Sequence, residues 1–598
     1  MEPTRTFDLL ERYQNLFSDK TDVLAGKENG KWVTYSVKDY IDNCNRVSYA
    51  LLSMGIGKGD RVALIANNRP EWNFVDFGIS QTGAVNLPIY PTISKEEYAY
   101  ILKDAEPKII FVSDKALYEK IKPLAGEVSS SIKIFTLNQV AGAPHFSEII
   151  ELGKSKEKEF AETLKKARAE VTPNDLVTLI YTSGTTGFPK GVMLTHNNLV
   201  TNFIATAGVH PLGSEARILS FLPLSHIYER MVNYHFQYKG MSIYYAENMG
   251  TITENAKEIS PQIFNAVPRL MERVYDKIIS KGKDLTGLKK QIFFWAVNLA
   301  LRFELNHQNG WFYYIQRLIA DKLVYSKWRA ALGGKLEIIV SGGAALQPRL
   351  ARFFWAAKIK VLEGYGLTET SPVIAVNNLT TREVKFGTVG PIIRDVQVKI
   401  AEDGEILAKG PNIMVGYYNQ PALTAEVIDN EGWFHTGDIG MIVDNKYLKI
   451  TDRKKEIFKL SSGKYIAPQV IENKFKESMF IEQIMVIGEN QKFASALISP
   501  NFQFLHNWAS IHHVSFQDNT DLISNPQVVA RYQKEVGQMN QQLGEHERIK
   551  RFRLVAEEWT PQTGELSPTL KLKRKVLSDK YPELIEDIFS VDKTNGVD

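Results

Sequence analysis

The sequence predicts an α/β fold in which a large N-terminal domain, made of α/β subdomains with a small β-rich piece, precedes a smaller C-terminal α/β domain. From the start to about residue 385, short apolar runs alternate with amphipathic stretches of helical length. From there to about residue 450, short strand-like runs are separated by Gly, Pro and Asn. A mixed pattern occupies the rest. The alternation is typical of parallel sheets covered by helices, and we place the domain boundary between residues 1–452 and 453–598.

Six apolar runs are predicted to be buried strands of the parallel sheets. In chain order they are residues 61–65, 84–87, 108–112, 176–180, 263–267 and 336–340. The first follows the turn-forming sequence Gly57-Lys58-Gly59-Asp60, and a helix is expected to begin at Ser94. The stretch from Lys154 to Glu170 carries many charges of both signs, which is typical of a solvent-exposed helix or a linker.

The composition excludes several classes of protein. The 598 residues are 44% hydrophobic and 23% charged, which rules out a collagen-like or wholly disordered chain. The 72 Lys and Arg exceed the 68 Asp and Glu by only four, so no nucleic acid partner is expected. Cys44 is the only cysteine, which excludes an intrachain disulfide and a cysteine-built zinc site. The opening residues 1–5 begin no apolar signal core, so a cytoplasmic location is expected.

The most apolar stretch, Ile292–Leu301, is shorter than the roughly 18 to 20 apolar residues that span a membrane. It is predicted to be a helix packed in a domain core. In the alternative interpretation, the aromatic and basic residues mixed between Phe293 and Trp328 form a patch in peripheral contact with the inner membrane surface.

The strongest chemical signal is the loop from Tyr181 to Gly191, which holds three glycines, four Ser or Thr side chains and Lys190. Glycines let backbone N–H groups approach phosphate oxygens, hydroxyls add donors, and a lysine adds positive charge. The predicted phosphate ligands are Thr182, Ser183, Gly184, Thr185, Thr186, Gly187 and Lys190. The spacing differs from that of the common P-loop, and a flexible surface linker is the alternative.

This loop resembles the phosphate loop of the AMP-forming acyl-CoA synthetase, luciferase and peptide-synthetase adenylation superfamily. Four further segments resemble its motifs in the same order. They are residues 222–230 for the acyl-site histidine, 363–370 for adenine and magnesium, 432–438 for ribose and 452–459 for the hinge. Residues 431–472 are most similar to long-chain fatty acyl-CoA synthetases. The resemblance runs from about residue 20 to 580 and covers nearly the whole chain.

The resemblance implies a role for each residue that matches a motif. The implied catalytic residues are Lys571, Lys190 and His226, with His226 positioning the acyl group. The implied ATP ligands outside the phosphate loop are Gly343, Ala344, Tyr365, Thr368, Asp438 and Arg453. Glu369 and Thr185 would bind Mg²⁺, and Lys455 would be the hinge of a mobile C-terminal lid. Four aromatic residues either line an acyl tunnel or pack in the core, namely Tyr228, Tyr234, Phe236 and Tyr238.

The C-terminal catalytic lysine has two candidates. Many relatives place it after a Ser-Gly or Asn-Gly pair, whereas here the segment is Ser567-Pro568-Thr569-Leu570-Lys571-Leu572-Lys573-Arg574. The spacing to Arg574 favours Lys571, and Lys573 is the alternative.

The implied activity is that of a long-chain fatty acid–CoA ligase. ATP and a fatty acid would give acyl-AMP and pyrophosphate with Mg²⁺ as cofactor, and coenzyme A would then give acyl-CoA and AMP. One rival hypothesis is a fatty acyl-AMP ligase that loads a carrier protein, and another is a degenerate relative that only binds fatty acids or nucleotides. The resemblance leaves open the acyl chain length, the pathway and whether the protein is a homodimer.

Overall fold

The computed structural model describes residues 2–182, 189–567 and 570–590, and it separates into two compact units. The first comprises residues 1–399, 407–435 and 443–448, and the second comprises residues 400–406, 436–442 and 449–598. Both contain sheets and helices, so the predicted α/β class is confirmed. The boundary between residues 452 and 453 stays a prediction.

Nineteen strands precede residue 454 in the described ranges. They are β1 (Leu24–Glu28), β2 (Lys31–Tyr35), β3 (Arg61–Ile65), β4 (Val85–Pro88), β5 (Ile109–Val112), β6 (Lys133–Thr136), β7 (Leu176–Thr182), β8 (Lys190–Thr195), β9 (Arg217–Ser220), β10 (Ser242–Tyr245), β11 (Ile263–Ala266), β12 (Ile338–Ser341), β13 (Lys360–Gly366), β14 (Val373–Val376), β15 (Gln397–Ile400), β16 (Glu405–Lys409), β17 (Gly416–Tyr417), β18 (Phe434–Val443) and β19 (Tyr447–Arg453).

The helices of the same part are α1 (Asp8–Leu16), α2 (Val37–Ser53), α3 (Pro70–Gln81), α4 (Lys95–Ala105), α5 (Lys115–Val128), α6 (Phe146–Glu170), α7 (His196–Thr206), α8 (Ile227–Tyr238), α9 (Ile252–Ile259), α10 (Pro268–Lys283), α11 (Gly287–Leu301), α12 (Gly310–Ala320), α13 (Ser326–Ala331), α14 (Pro348–Ala356) and α15 (Pro421–Val427). A π-helical turn, Asp321–Tyr325, joins α12 to α13.

Two large sheets organise the first unit. One has eight strands in the order β14-β13-β12-β11-β9-β10-β1-β2, and the other has seven in the order β17-β8-β7-β4-β3-β5-β6. Strands β10, β9, β11, β12 and β13 run parallel to one another, as do β4, β3, β5 and β6, whereas the edge strand β14 is antiparallel to β13. The parallel sheets are therefore confirmed. The apolar run at residues 61–65 is β3, whose last four residues are fully buried, as expected for a strand covered by helices on both faces.

The structure confirms two of the helical predictions and excludes one alternative. Ser94 caps α4, since its hydroxyl accepts a hydrogen bond from the Glu97 N–H. Residues 154–170 belong to the single 25-residue helix α6, so the linker alternative is wrong. Ile292–Leu301 lies in α11 and buries Phe293 and Leu299, which confirms the core prediction. None of the helices in the described ranges is long and apolar enough to cross a membrane.

The first unit contains a buried ion pair. The guanidinium of Arg230 on α8 is fully buried and lies 2.5 Å from the Asp76 carboxylate on α3. The Tyr234 hydroxyl donates to the same carboxylate, and Phe236 is buried nearby in the sequence. Tyr234 and Phe236 are therefore core residues, as predicted by the alternative to an acyl tunnel.

The C-terminal part adds shorter elements. They are β20 (Phe458–Lys459), β21 (Tyr465–Ile466), α16 (Pro468–Phe475), β22 (Ile481–Ile487), β23 (Ser495–Pro500), α17 (Phe502–Ile511), α18 (Asn519–Ser524), α19 (Pro526–Asn540), β24 (Arg551–Leu554), α20 (Arg574–Lys580) and α21 (Pro582–Ser590). A three-stranded sheet, β22-β23-β24, packs its apolar residues against α16 and α19. A four-stranded sheet, β15-β16-β18-β19, completes the fold.

Candidate functional site

The predicted adenine segments follow neighbouring strands of the eight-stranded sheet. Gly343 and Ala344 come shortly after β12, and Tyr365 lies at the end of the adjacent parallel strand β13. Ligands of α/β proteins bind at this carboxyl edge of a parallel sheet. Gly343 has φ +84°, a left-handed conformation that favours glycine, and both Gly343 and Ala344 are exposed. The half-buried Tyr365 ring and this open backbone provide flat surfaces that suit a purine base.

An acidic, a phenolic and a cationic side chain meet beside this edge. Glu369 lies in the 3₁₀ turn Thr368–Thr370, directly after β13. The Tyr417 hydroxyl donates to Glu369 Oε1 at 2.9 Å, and Lys190 Nζ lies 5.1 Å from the centre of the Tyr417 ring. The backbone holds this arrangement, because the Met414 N–H donates to the Glu369 carbonyl at 2.9 Å. The two charged groups named from the sequence therefore share one neighbour, Tyr417.

Tyr417 was missed by the sequence analysis. It comes from β17, which pairs with β8 so that Tyr417 is opposite Val192. Burial, together with the charge of Glu369, raises the pKa of Tyr417, so the hydroxyl stays protonated and donates. No motif marks this tyrosine, since its contact with Glu369 joins residues 48 positions apart.

The phosphate loop itself is only partly described. Ser183, Gly184, Thr185, Thr186 and Gly187 lie outside the described residues, and their predicted roles stay predictions. The residues on either side of them belong to two strands of the seven-stranded sheet. Thr182 at the end of β7 is opposite Lys190 at the start of β8, and the two strands are antiparallel. This hairpin was not predicted from the sequence, and it holds Lys190 at the loop's end.

The chemistry around Glu369 suits a magnesium ion. In residues 2–182, 189–567 and 570–590, no group of three or more His, Cys, Asp or Glu could hold a metal ion. Mg²⁺ usually takes one or two carboxylates and completes its shell with substrate phosphates and water. A half-buried carboxylate, oriented through one oxygen by Tyr417, fits that requirement.

The predicted acyl-site histidine caps α8. His226 Nδ1 accepts a hydrogen bond from the Tyr228 N–H at 3.0 Å, and its ring contacts Tyr90 edge-on with 6.3 Å between ring centres. The Tyr228 hydroxyl in turn donates to the Val340 carbonyl at 2.9 Å, which links α8 to β12. These contacts fix the direction of the histidine ring, which suits the positioning role implied for it.

One buried acid beside His226 was not anticipated. Glu229 accepts hydrogen bonds from the Ser220 hydroxyl at 2.6 Å and from the Asn265 amide at 2.9 Å. Burial is the main cause that raises the pKa of Glu229 to about 7. Ser220 and Asn265 lie near the carboxyl ends of β9 and β11, so a titratable group lies at the same sheet edge as the adenine segments. The only signal in the sequence was the position of Glu229 within the segment 222–230.

In the second unit, the predicted ribose residues form a pair. Asp438 on β18 is only 4% exposed, and Arg453 Nε at the end of β19 lies 3.3 Å from its Oδ1. Gly437 has φ +69° and donates its N–H to Glu405 Oε1 at 2.9 Å. The Lys454 ammonium lies 2.8 Å from the other oxygen of Glu405. Glu405 therefore contacts both Gly437, which precedes Asp438 on β18, and Lys454, which follows Arg453, while the ribose role stays a prediction.

The hinge segment and the C-terminal lysines are connected through Arg574. Lys455 is exposed, and its neighbour Glu456 accepts from Arg574 Nε at 3.1 Å. Arg574 Nη2 also lies 2.6 Å from Glu472 Oε1. Burial raises the pKa of Asp452, the residue before Arg453, to about 7. The contact of Arg574 with Glu456 was not predicted from the sequence, because the two residues are 118 positions apart.

The two candidate lysines lie on either side of Leu572. Leu566 and Leu572 form an antiparallel bridge, and the Lys571 N–H donates to the Ser567 hydroxyl at 3.1 Å. Lys571 is exposed, whereas Lys573 is half-buried and precedes α20. Greater exposure suits the lysine that must reach a substrate, but the choice between them stays a prediction.

Comparisons with known proteins agree over both parts of the chain. Residues 10–418 match the AMP-binding enzyme family, and residues 455–593 match the AMP-binding enzyme C-terminal domain. Long-chain-fatty-acid–CoA ligase FadD15 of Mycobacterium bovis is 33% identical over 570 residues, covering 94% of this chain and 93% of that protein. Long-chain-fatty-acid–CoA ligase 1 of Homo sapiens is 32% identical over 600 residues, covering 94% of this chain and 83% of that protein.

A solved structure extends the likeness of the fold. The A domain of carboxylic acid reductase from Segniliparus rugosus, in complex with AMP and a co-purified carboxylic acid, superposes with a TM-score of 0.73 at 20% identity. The superposition covers 98% of this chain and 94% of that chain.

Proposed function

The chain belongs to the AMP-binding enzyme family, and on that premise we propose that it is an AMP-forming long-chain fatty acid–CoA ligase. Its relatives with that name are 32–33% identical over 94% of its length. The observation that carries the chemical part of the proposal is the cluster in which Tyr417 contacts both Glu369 and Lys190. The substrates are ATP, coenzyme A and a long-chain fatty acid.

The first half-reaction joins two anions and needs positive charge. A carboxylate oxygen of the fatty acid bonds to the α-phosphorus of ATP, the bond to the bridging oxygen breaks, and pyrophosphate leaves. Lys190 offsets the charge that accumulates on the phosphate oxygens, and the Asp438 carboxylate accepts hydrogen bonds from the ribose hydroxyls. Mg²⁺, when held by Glu369, would neutralise further phosphate charge.

The second half-reaction transfers the acyl group. The thiol of coenzyme A loses its proton to solvent and attacks the acyl carbon. A C–S bond forms, the bond between that carbon and the AMP phosphate oxygen breaks, and AMP leaves. We assign His226 to positioning the acyl group, since its ring is fixed by Tyr228 and Tyr90. Lys571 serves the adenylation step only, and Lys455 is the pivot that separates the two half-reactions.

The carrier-protein alternative is not favoured, because the relatives that match along most of the chain are named CoA ligases. A homodimer stays a prediction.

The test is product analysis with the purified full-length protein. ATP, oleate and coenzyme A should give AMP, pyrophosphate and oleoyl-CoA, whereas acyl carrier protein in place of coenzyme A should give no acylated carrier. Glu369→Gln should lower ATP–pyrophosphate exchange by about a hundredfold or more. The exposed Glu431→Gln is the matched control and should have no effect. Formation of ADP and acyl-phosphate would contradict the proposal.

A further inference from the structure

Helix α12 exposes a continuous apolar face. Its large apolar residues at positions i, i+1, i+4, i+7 and i+8 are on one side of the helix, and the face continues into the following π-helical turn. The residues are Trp311, Phe312, Ile315, Leu318, Ile319 and Leu323. Trp311 is 76% exposed and Leu318 is 64% exposed. Elsewhere in the described part of the chain, exposed large apolar residues occur only singly or in pairs. An exposed apolar patch of this size is typical of a surface that binds a protein or a membrane.

The opposite face of α12 attaches the helix to the core. The Tyr313 hydroxyl donates to the Leu299 carbonyl at 2.9 Å, and Arg317 Nε donates to the Ala356 carbonyl at 2.8 Å. Just beyond the helix, the Tyr325 hydroxyl donates to the Ala296 carbonyl at 2.7 Å. The helix is therefore held firmly by its buried face, and the outward direction of the apolar face is fixed.

The sequence segment that contains the patch is strongly basic. Residues 281–335 contain ten Lys and Arg and three Asp and Glu, a net charge of +7 in a chain whose total is +4, so the rest of the chain is net negative. Exposed lysines in this segment are Lys281, Lys283, Lys289, Lys290, Lys322, Lys327 and Lys335. Two of the three acids are already paired within the fold, Glu304 with Arg352 and Asp321 with Arg329 and Lys358.

We propose that α12 lies in the plane of an anionic bilayer surface, with its apolar face in the acyl boundary and the neighbouring lysines on the headgroups. An amphipathic helix with basic flanks is the element that binds lipid in this way. The helix has 11 residues, far too few to cross the bilayer. Lys322 follows directly on the apolar face, where a long side chain can reach the headgroups while its stem stays in the acyl layer.

A second copy of the chain fits the patch less well than lipid does. A two-fold symmetric contact places the same surface patch on both partners. Such a contact would bring two lysine-rich surroundings together, and like charges repel. Anionic headgroups supply the opposite charge instead. Given the proposed function, the location is useful, because a long-chain fatty acid partitions into the same layer.

The test compares two helix-borne apolar residues of nearly equal exposure. Leu318→Gln removes part of the α12 face, and Ile511→Gln on α17 changes a residue that is 65% exposed. Full-length protein is floated with phosphatidylcholine vesicles that contain or lack phosphatidylglycerol. Each large apolar side chain moved out of water contributes roughly tenfold or more to the partition coefficient. Leu318→Gln should therefore bind anionic vesicles about tenfold more weakly, and Trp311→Gln combined with it about a hundredfold more weakly. Ile511→Gln should bind like the parent.

Salt and vesicle charge provide the second arm. Binding should fall on neutral vesicles, and it should fall as salt rises from 0.1 M to 1 M, where the Debye length shrinks from about 10 Å to about 3 Å. No flotation with anionic vesicles at low salt, or resistance to alkaline carbonate extraction, would overturn the proposal. So would a concentration-dependent dimer, seen by sedimentation, that is lost in Leu318→Gln. Because flotation needs no catalysis, and the unfolding transition shows whether each variant is folded, this outcome is independent of the proposed ligase activity.

Discussion

Replacing Tyr417 by Phe tests whether the tyrosine orients the magnesium ligand. The change removes the hydroxyl that donates to Glu369 Oε1 at 2.9 Å and keeps the ring that Lys190 contacts. A hydrogen bond to a charged group contributes about 1.5–3 kcal/mol. Glu369 is only half-buried, so water can replace part of this bond, and we expect about 1.4 kcal/mol, which is a factor of about ten. Loss of a group that orients a metal ligand costs a comparable factor in metal affinity.

The assay is a Mg²⁺ titration of ATP–pyrophosphate exchange with oleate. Tyr417→Phe should need about tenfold more Mg²⁺ for half-maximal exchange, with the KM for ATP at saturating Mg²⁺ nearly unchanged. Tyr417→Leu, which also removes the ring beside Lys190, should raise that KM as well. The neighbouring Tyr418→Phe is the matched control. A Mg²⁺ requirement of Tyr417→Phe equal to or below that of the parent would refute the orienting role.

Three further predictions concern other parts of the chain. Lys571→Ala should abolish pyrophosphate exchange and spare coenzyme A consumption from supplied oleoyl-AMP; if Lys573→Ala has this effect instead, the assignment is wrong by two residues. Lys455→Pro should do the reverse in the same two assays, since proline fixes φ at about −65°, and full coenzyme A consumption would argue against a hinge there. Burial lowers the pKa of His210 to about 3 and that of its neighbour His235 well below 6.5, so both are neutral in the fold but protonate in the unfolded chain as pH falls through 6.5. Protonation of His210 in the unfolded chain therefore lowers the free energy of unfolding by about 2 kcal/mol between pH 7 and pH 5. In urea denaturation, the free energy of unfolding of His210→Gln should fall less over this pH range than that of the parent, and an equal fall would disprove this.

The sheets were predictable because their signal is local. Buried parallel strands are continuous apolar runs, and β3, β5 and β7 each lie within or beside a predicted run. The antiparallel pairing of β7 with β8 was not predicted, because the hydrophobic periodicity of the sequence gives no information across the glycine-rich loop between them. The charged stretch before residue 171 left helix and linker open, since solvent-exposed helices and linkers share the same composition.

Some residues of the candidate site were likewise predictable from the sequence, and others were not. Lys190, Glu369 and Asp438 stand in motifs that resemble a known family, so the sequence alone could name them. Tyr417 and Glu229 could not be named, because their contacts join strands and loops that are distant along the chain. A raised pKa such as that of Glu229 also arises from burial, which only the folded structure defines.

The contact of Arg574 with Glu456 and Glu472 has a mechanical consequence. Arg574 begins α20 three residues after Lys571, and Glu456 is the residue after the proposed pivot Lys455. In the proposed hinge motion, these two ion pairs would couple a rotation at Lys455 to the segment of Lys571, so that the two would move together. Without these ion pairs, Lys571 would move independently of Lys455 and would exchange between its two positions. If Lys455 is the pivot, the strength of these ion pairs would therefore set how abruptly adenylation ends before acyl transfer begins.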